Sequence, residues 1–275
     1  MLLLYNNQML EEKELRLSIT NRAFQYNDGF FETIIIREGK LFFWEEHVQR
    51  MQEAASALQL QLPAFFAAPE FNDKLLLLAK KQQALHHGRL KLKVWRAGGG
   101  LYTPETDVVE WLAIAQQSAP VSAAPIHISI CLQVHAHYSP VSHFKGPHAP
   151  LYVLAAMEKK ARQLDDMLLT DQQGNIAELT SSNICWFQDG KLYTPALATG
   201  CINGVLRRNI LRWCQSLQIE VVETMAGLEK LLQAELVFAA NVTGIRVIKS
   251  IEGKALPTNH PLLHQLQKDL FGQFI

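Results

Sequence analysis

Residues 118–125, Ser-Ala-Pro-Val-Ser-Ala-Ala-Pro, constrain the fold more than any other stretch of this chain. They are small, carry two prolines and show no periodicity, whereas the segments on either side alternate strongly between apolar and polar residues. Such a stretch continues neither a helix nor a strand. It predicts a chain in two parts: a small N-terminal α/β domain over 1–117, a linker over 118–125 and a larger domain over 126–275. A length of 275 residues suits two modest domains.

Before the linker, the β-branched run at 33–36, the turn at 37–40 and the apolar return at 41–43 predict a hairpin. A helix should start near Glu45, with Val48, Met51, Ala55 and Leu58 at helical spacing, and Pro63 closes it. A second helix is expected over 72–86. Strands follow over 89–96 and 110–117, separated by three glycines, Gly98 to Gly100, which suggest a flexible loop. After the linker come a strand from Ile126, a helix over 151–164, a strand–turn–strand over 166–179, and a hairpin turning at Asp189-Gly190. A helix from Gly204 and two or three final strands complete the pattern. No internal repeat is visible, and the fold class is mixed α/β.

Composition excludes several functions. Lys+Arg 26 balance Asp+Glu 26, so the basic excess of a general nucleic-acid binder is missing. No apolar run approaches the roughly 20 residues of a membrane span, and the opening MLLLYNNQ lacks the basic start of a secretory signal. The expectation is a cytoplasmic protein without nucleic-acid or membrane partners. The four cysteines show no CxxC and read as buried free thiols. His135 and His137 have zinc-like spacing but no third ligand set, so no metal is expected.

Lys145 is the most suggestive single residue. It lies in SHFKGPHAP, among prolines and aromatic side chains that stiffen the chain and reduce hydration. A lysine in partly dry surroundings has a lowered pKa, and its neutral amine can bond an aldehyde. Pyridoxal 5′-phosphate is the common biological aldehyde for this purpose. That cofactor needs a carboxylate for its ring nitrogen, backbone N–H groups for its phosphate and an arginine to clamp the phosphate oxygens. Glu178 is the candidate carboxylate, followed by Ser182 and Asn183, whose side chains can order the site. Gly204 and Val205 open a helix, and Arg50 lies on the first helix. Taken singly, each also fits a plain role as a solvated loop lysine, a strand-end carboxylate, a helix start or a helix-surface arginine.

Together these segments resemble a known family. YNDGFFETIIIREGKLFFWEEHVQRM, FKGPHAPLYVLAA, DDMLLTDQQGNIAELTSSNICWFQDGKLYTP, TGCINGVLRRNIL and AELVFAANVTGIRVI are similar, in order and spacing, to the class IV aminotransferases. These are pyridoxal-phosphate enzymes of fold type IV, including branched-chain and D-amino acid aminotransferases and 4-amino-4-deoxychorismate lyase. The resemblance implies a small N-terminal α/β domain, a larger pseudo-barrel domain and a homodimer. It makes Lys145 the lysine that bonds the cofactor and shuttles protons. Glu178 then pairs with the pyridine nitrogen, and Arg50 with the Val205 and Leu206 amides holds the phosphate. Thr243, in NVTG, is a further phosphate candidate.

The resemblance also leans within the family. FET replaces the glycine-bearing motif of branched-chain enzymes, and Pro150 stands where they carry a tyrosine. Leu206 occupies a position where transaminases usually have threonine. The expectation is therefore 4-amino-4-deoxychorismate lyase, which yields pyruvate and 4-aminobenzoate for folate synthesis. An amino acid aminotransferase and a catalytically silent scaffold are the alternatives. Leu101 stands where such lyases often place an arginine, so the substrate carboxylates need Arg96, Lys91 or another cation. Tyr26, His143 and His148 are candidates to orient substrate.

Overall fold

The structure is a computed structural model that describes residues 1–272. The chain divides into two compact units. Met1–Pro120 with Phe144–Pro147 forms the first, and Val121–His143 with the chain from His148 onward forms the second.

The first unit contains β1 (Leu2–Tyr5), β2 (Gln8–Glu11), α1 (Arg22–Gln25), β3 (Gly29–Arg37), β4 (Lys40–Leu41), α2 (Trp44–Leu58), α3 (Pro69–Lys81), β5 (His87–Arg96) and β6 (Val109–Gln117). Its antiparallel sheet has the order β2-β1-β6-β5-β3-β4. Alternation sorts side chains between two faces. Phe30, Ile34, Ile36, Leu90, Leu92, Val94, Trp111 and Ala113 are buried on one face, and each large side chain among them contributes about 2 kcal/mol by leaving water. α2 packs on β3, and α3 packs on β1 and β6. The opposite face carries Phe31, Lys91 and Lys93 and is less covered.

Helix ends follow local chemistry. α2 has Glu45 and Glu46 in its first turn, and α3 opens on Pro69 and closes on Lys80 and Lys81. α3 stops short of the expected His86 because Gln83 takes a left-handed conformation, φ 57°, and the chain turns into β5. The opening residues, unassigned from sequence, form a β1–β2 hairpin in which Asn6 and Asn7 both take positive φ.

The second unit contains β7 (Ile126–Ile130), α4 (Ala149–Ala161), β8 (Asp166–Thr170), β9 (Ile176–Leu179), β10 (Asn183–Gln188), β11 (Lys191–Pro195), α5 (Val205–Ser216), β12 (Val221–Thr224), α6 (Leu228–Leu232), β13 (Leu236–Asn241), β14 (Gly244–Ile251), β15 (Lys254–Ala255) and α7 (Pro261–Phe271). The sheet runs β12-β11-β10-β13-β14-β7-β8-β9, with β15 added on β14. Pairings β11–β12, β14–β7 and β7–β8 are parallel. β9 also packs against β11, so the sheet curls back toward itself. Ile128, Leu168, Leu179, Ile184, Trp186, Val237 and Ile248 form its core.

Residues 118–125 carry no helix or strand. One part of the expected domain division needs correction: Phe144–Pro147 groups with the first unit. β4 pairs only with Ile36 and Arg37, which leaves the start of β3 as a sheet edge. The Phe31 N–H there donates to the Lys145 carbonyl at 2.9 Å, and Asn27 Nδ2 donates to the Gly146 carbonyl at 2.8 Å. Phe144 packs edge-on against Phe30.

Candidate active site

Lys145 is thus held by its backbone on the edge of β3 and is half-buried. Gly146 is required next to it, because an added Cβ would come within 2.5 Å of the Gly29 carbonyl oxygen and 2.9 Å of the Phe30 Cα. The proline-bounded loop therefore presents one lysine from a backbone fixed on both sides.

Arg50 and His47 lie on α2, and both are buried against Glu32 of β3. Arg50 donates from Nε to Oε1 at 2.8 Å and from Nη2 to Oε2 at 2.5 Å, a bidentate pair. His47 Nδ1 lies 2.6 Å from Oε2. Burial alone would raise the Glu32 pKa, but the Arg50 charge and then His47 outweigh it and hold the carboxyl down at about 2. An ionised carboxylate only accepts, so His47 Nδ1 carries the proton. Burial pushes the His47 pKa down against the pull of Glu32, with Arg50 and Lys145 adding to the depression. His47 Nε2 is buried with no partner. Sequence reasoning took Arg50 and missed Glu32 and His47. The signal was present: a glutamate sits on the strand face otherwise occupied by Phe30, Ile34 and Ile36, and such a charge needs a partner.

In the second unit, Glu178 lies on β9 and is 3% exposed. Tyr152 Oη donates to Oε1 at 2.6 Å and the Ile202 N–H donates to Oε2 at 3.2 Å. Asn183 begins β10 and donates from Nδ2 to the Ile202 carbonyl at 2.7 Å. Its Oδ1 lies 2.0 Å from where a Cβ on residue 204 would sit, so any larger residue at Gly204 would displace the Asn183 amide. Val205 and Leu206 then open α5, whose first intrahelical bond runs from the Arg208 N–H to the Gly204 carbonyl. No side chain caps this end and no acidic residue lies in its first turn. It offers backbone donors suited to an anion.

The remaining expected residues divide. Ser182 Oγ accepts from Asn241 Nδ2 at 2.9 Å. The Thr243 N–H and O–H both go to Asn241 Oδ1, at 2.8 and 2.6 Å, so Thr243 shapes the β13–β14 turn. Tyr26 pairs with Tyr102, ring centroids 5.6 Å apart. His143 packs near Tyr138 and its carbonyl accepts from the Asn203 N–H, while His148 Nε2 lies 3.2 Å from Ser139 Oγ.

Arg96 is a correction. It is buried, and its guanidinium bonds Asp28 and Asp107 and the carbonyls of Leu58, Gln59 and Thr106. Its donors are taken by the fold, so it is not free to receive a substrate carboxylate. Lys91 is exposed, with Nζ 4.7 Å from the centre of the Phe31 ring. Lys93, unnoticed in the sequence, shares that face, and burial and then Lys91 lower its pKa. The Gly98–Gly100 run, expected as a flexible loop, is tied down by Arg22, which donates to the carbonyls of Gly99, Gly100 and Leu101.

Comparison with known proteins agrees with this chemistry. The family model for amino-transferase class IV matches residues 29–251, and the chain belongs to that family. It is 26% identical to an aminodeoxychorismate lyase of Vibrio harveyi, covering 90% of each chain. It is 27% identical to a probable branched-chain-amino-acid aminotransferase of Rickettsia felis, covering 98% of this chain and 94% of that one. A T.th. branched-chain amino acid aminotransferase, complexed with N-(5′-phosphopyridoxyl)-L-glutamate, superposes with a TM-score of 0.84 at 21% identity, covering 98% and 92%. The fold is that of the type IV pyridoxal-phosphate enzymes, and the protein is an enzyme that depends on this cofactor.

The residues present fit that group. The uncapped helix start behind Gly204 offers backbone N–H donors that suit an anion. A buried carboxylate whose oxygens accept from Tyr152 and Ile202 suits a protonated ring nitrogen. Among the described residues, no three His, Cys, Asp or Glu side chains gather as a metal site requires, and no helix is long and apolar enough to cross a membrane.

Proposed function

We propose that the protein is a 4-amino-4-deoxychorismate lyase, forming 4-aminobenzoate and pyruvate in a cytoplasmic step of folate synthesis. The observation that carries the reading is the Lys91–Lys93 pair. Both lysines share one face of β5 beside Phe31, the same residue whose N–H holds the Lys145 carbonyl. Two cations at this spacing suit a substrate with two carboxylates, and they replace both the arginine missing at Leu101 and the fully engaged Arg96. A branched-chain amino acid has one carboxylate and an apolar tail, which this face does not favour.

In this reading Lys145 would bond the cofactor aldehyde, Glu178 would pair with the ring nitrogen, and Arg50 with the first amides of α5 would hold the phosphate. Asn183 and Gly204 order those amides, and Ser182 supports the turn beside Asn183. Bound pyridoxal phosphate supplies an electron sink for the carbon that loses its proton. Lys145 would take the proton from the ring carbon that bears the substrate amine. The C–O bond to the enolpyruvyl group breaks, and the leaving enol takes up a proton to become pyruvate. No oxidant or water is consumed. Tyr26, His143 and His148 are available to orient the substrate. A homodimer belongs to the same reading, supported by the exposed Ile19, Phe24, Leu101 and Tyr102 of the first unit.

An amino acid aminotransferase would share Lys145, Glu178 and Arg50, so products must decide. Purified enzyme is given 4-amino-4-deoxychorismate in one reaction, and D-alanine or L-leucine with 2-oxoglutarate in others. Equal amounts of pyruvate and 4-aminobenzoate support the lyase. Glutamate formed faster than either product overturns it.

A further inference from the structure

Tyr152 lies on α4 and directs its hydroxyl to Glu178 Oε1, at 2.6 Å. The opposite oxygen, Oε2, takes the Ile202 N–H at 3.2 Å. The carboxylate is thus gripped from a helix on one side and from the approach to α5 on the other. Cys201 sits near it, with a thiol pushed up to about 12 by burial and then by the Glu178 charge, so it stays neutral. Burial, followed by the Glu178 charge, also raises the Tyr152 phenol well above its ordinary range. The phenol therefore remains a proton donor at working pH.

Each donor on a carboxylate stabilises its charged form and makes it a weaker base. If Glu178 faces the cofactor's ring nitrogen, the two compete for one proton. A weak carboxylate base leaves that proton on the ring, where the electron sink requires it. We infer that Tyr152 is a positioning residue for Glu178: its hydroxyl orients the carboxylate and weakens it as a base, so that the ring nitrogen keeps its proton. This rests on the assignment of Glu178 to the ring nitrogen.

The test is Tyr152→Phe, which removes one oxygen, in holoenzyme loaded with cofactor labelled with 15N in the ring. The ring 15N signal should move from the protonated toward the unprotonated position. The turnover number kcat should fall about tenfold, the size of one hydrogen bond to a charged group, while KM changes little. In a Glu178→Gln background the same substitution should change kcat less than about twofold, because the two side chains act as one unit. Replacing Tyr152 with 3-fluorotyrosine, a stronger donor of nearly the same shape, should keep the signal at the protonated position. An unmoved 15N signal in Tyr152→Phe, or an equal loss of kcat in both backgrounds, overturns the inference. If the signal also ignores Glu178→Gln, the assignment of Glu178 fails and takes the inference with it.

Discussion

Gly204→Ala isolates the turn that prepares the start of α5. Gly204 has an ordinary backbone conformation, φ −64° and ψ 146°, so the substitution introduces no backbone strain. Its cost is steric: the new methyl overlaps Asn183 Oδ1 and comes within 3.2 Å of Asn183 Cγ. Asn183 is 6% exposed and holds the Ile202 carbonyl at 2.7 Å through Nδ2. To make room, the amide must swing away and break that bond; the carbonyl keeps the Gly204 N–H, and the buried Asn183 Nδ2 loses its acceptor, which costs about 1–3 kcal/mol. A loss of about 2 kcal/mol lowers Tm by about 4–8 °C in a chain of this size. Calorimetry of the cofactor-free protein measures it. In an Asn183→Ala background the obstruction is gone, and Gly204→Ala should cost less than about 0.5 kcal/mol. A Gly204→Ala protein as stable as wild type, or one equally damaged in both backgrounds, would refute the steric reasoning.

Glu32→Gln should cost about 3–5 kcal/mol, because it leaves the buried Arg50 charge without its counter-charge; urea unfolding at neutral pH reads this directly, and a loss below about 1 kcal/mol counts against a buried ion pair. In the wild-type protein the Glu32 carboxyl is held at about 2, below its unfolded value of about 4.5. Its contribution is therefore complete above about pH 4.5 and disappears as the pH falls through about 2. Stability measured between those limits should decline more steeply in wild type than in Glu32→Gln, and parallel curves would contradict the assignment.

The sequence made the strands and helices around the site legible because their periodicities are clean. The hairpin at Asp189-Gly190 is an example, since both residues take positive φ, which aspartate and glycine tolerate. The β1–β2 hairpin escaped because its turn, Asn6-Asn7, lacks a glycine, and α7 escaped because no chemistry drew attention to it. Arg96 shows a different limit. An arginine at a strand end reads as available until the carbonyls of Leu58 and Gln59, far away in sequence, are seen to occupy it. Tyr152 was hidden for the same reason: its partner, Glu178, is brought to it only by the packing of α4 on β8, whose antiparallel neighbour β9 carries the carboxylate. Lys145 was found from its neighbours, yet its attachment to the β3 edge through Phe31 was not visible in any local pattern.

The central claim is that one lysine bonds the cofactor. Holoenzyme reduced with borohydride, digested and mapped by mass spectrometry should carry the phosphopyridoxyl group on the peptide containing Lys145, and Lys145→Ala should carry none. The label on any other lysine, or an equal yield in Lys145→Ala, would contradict the account.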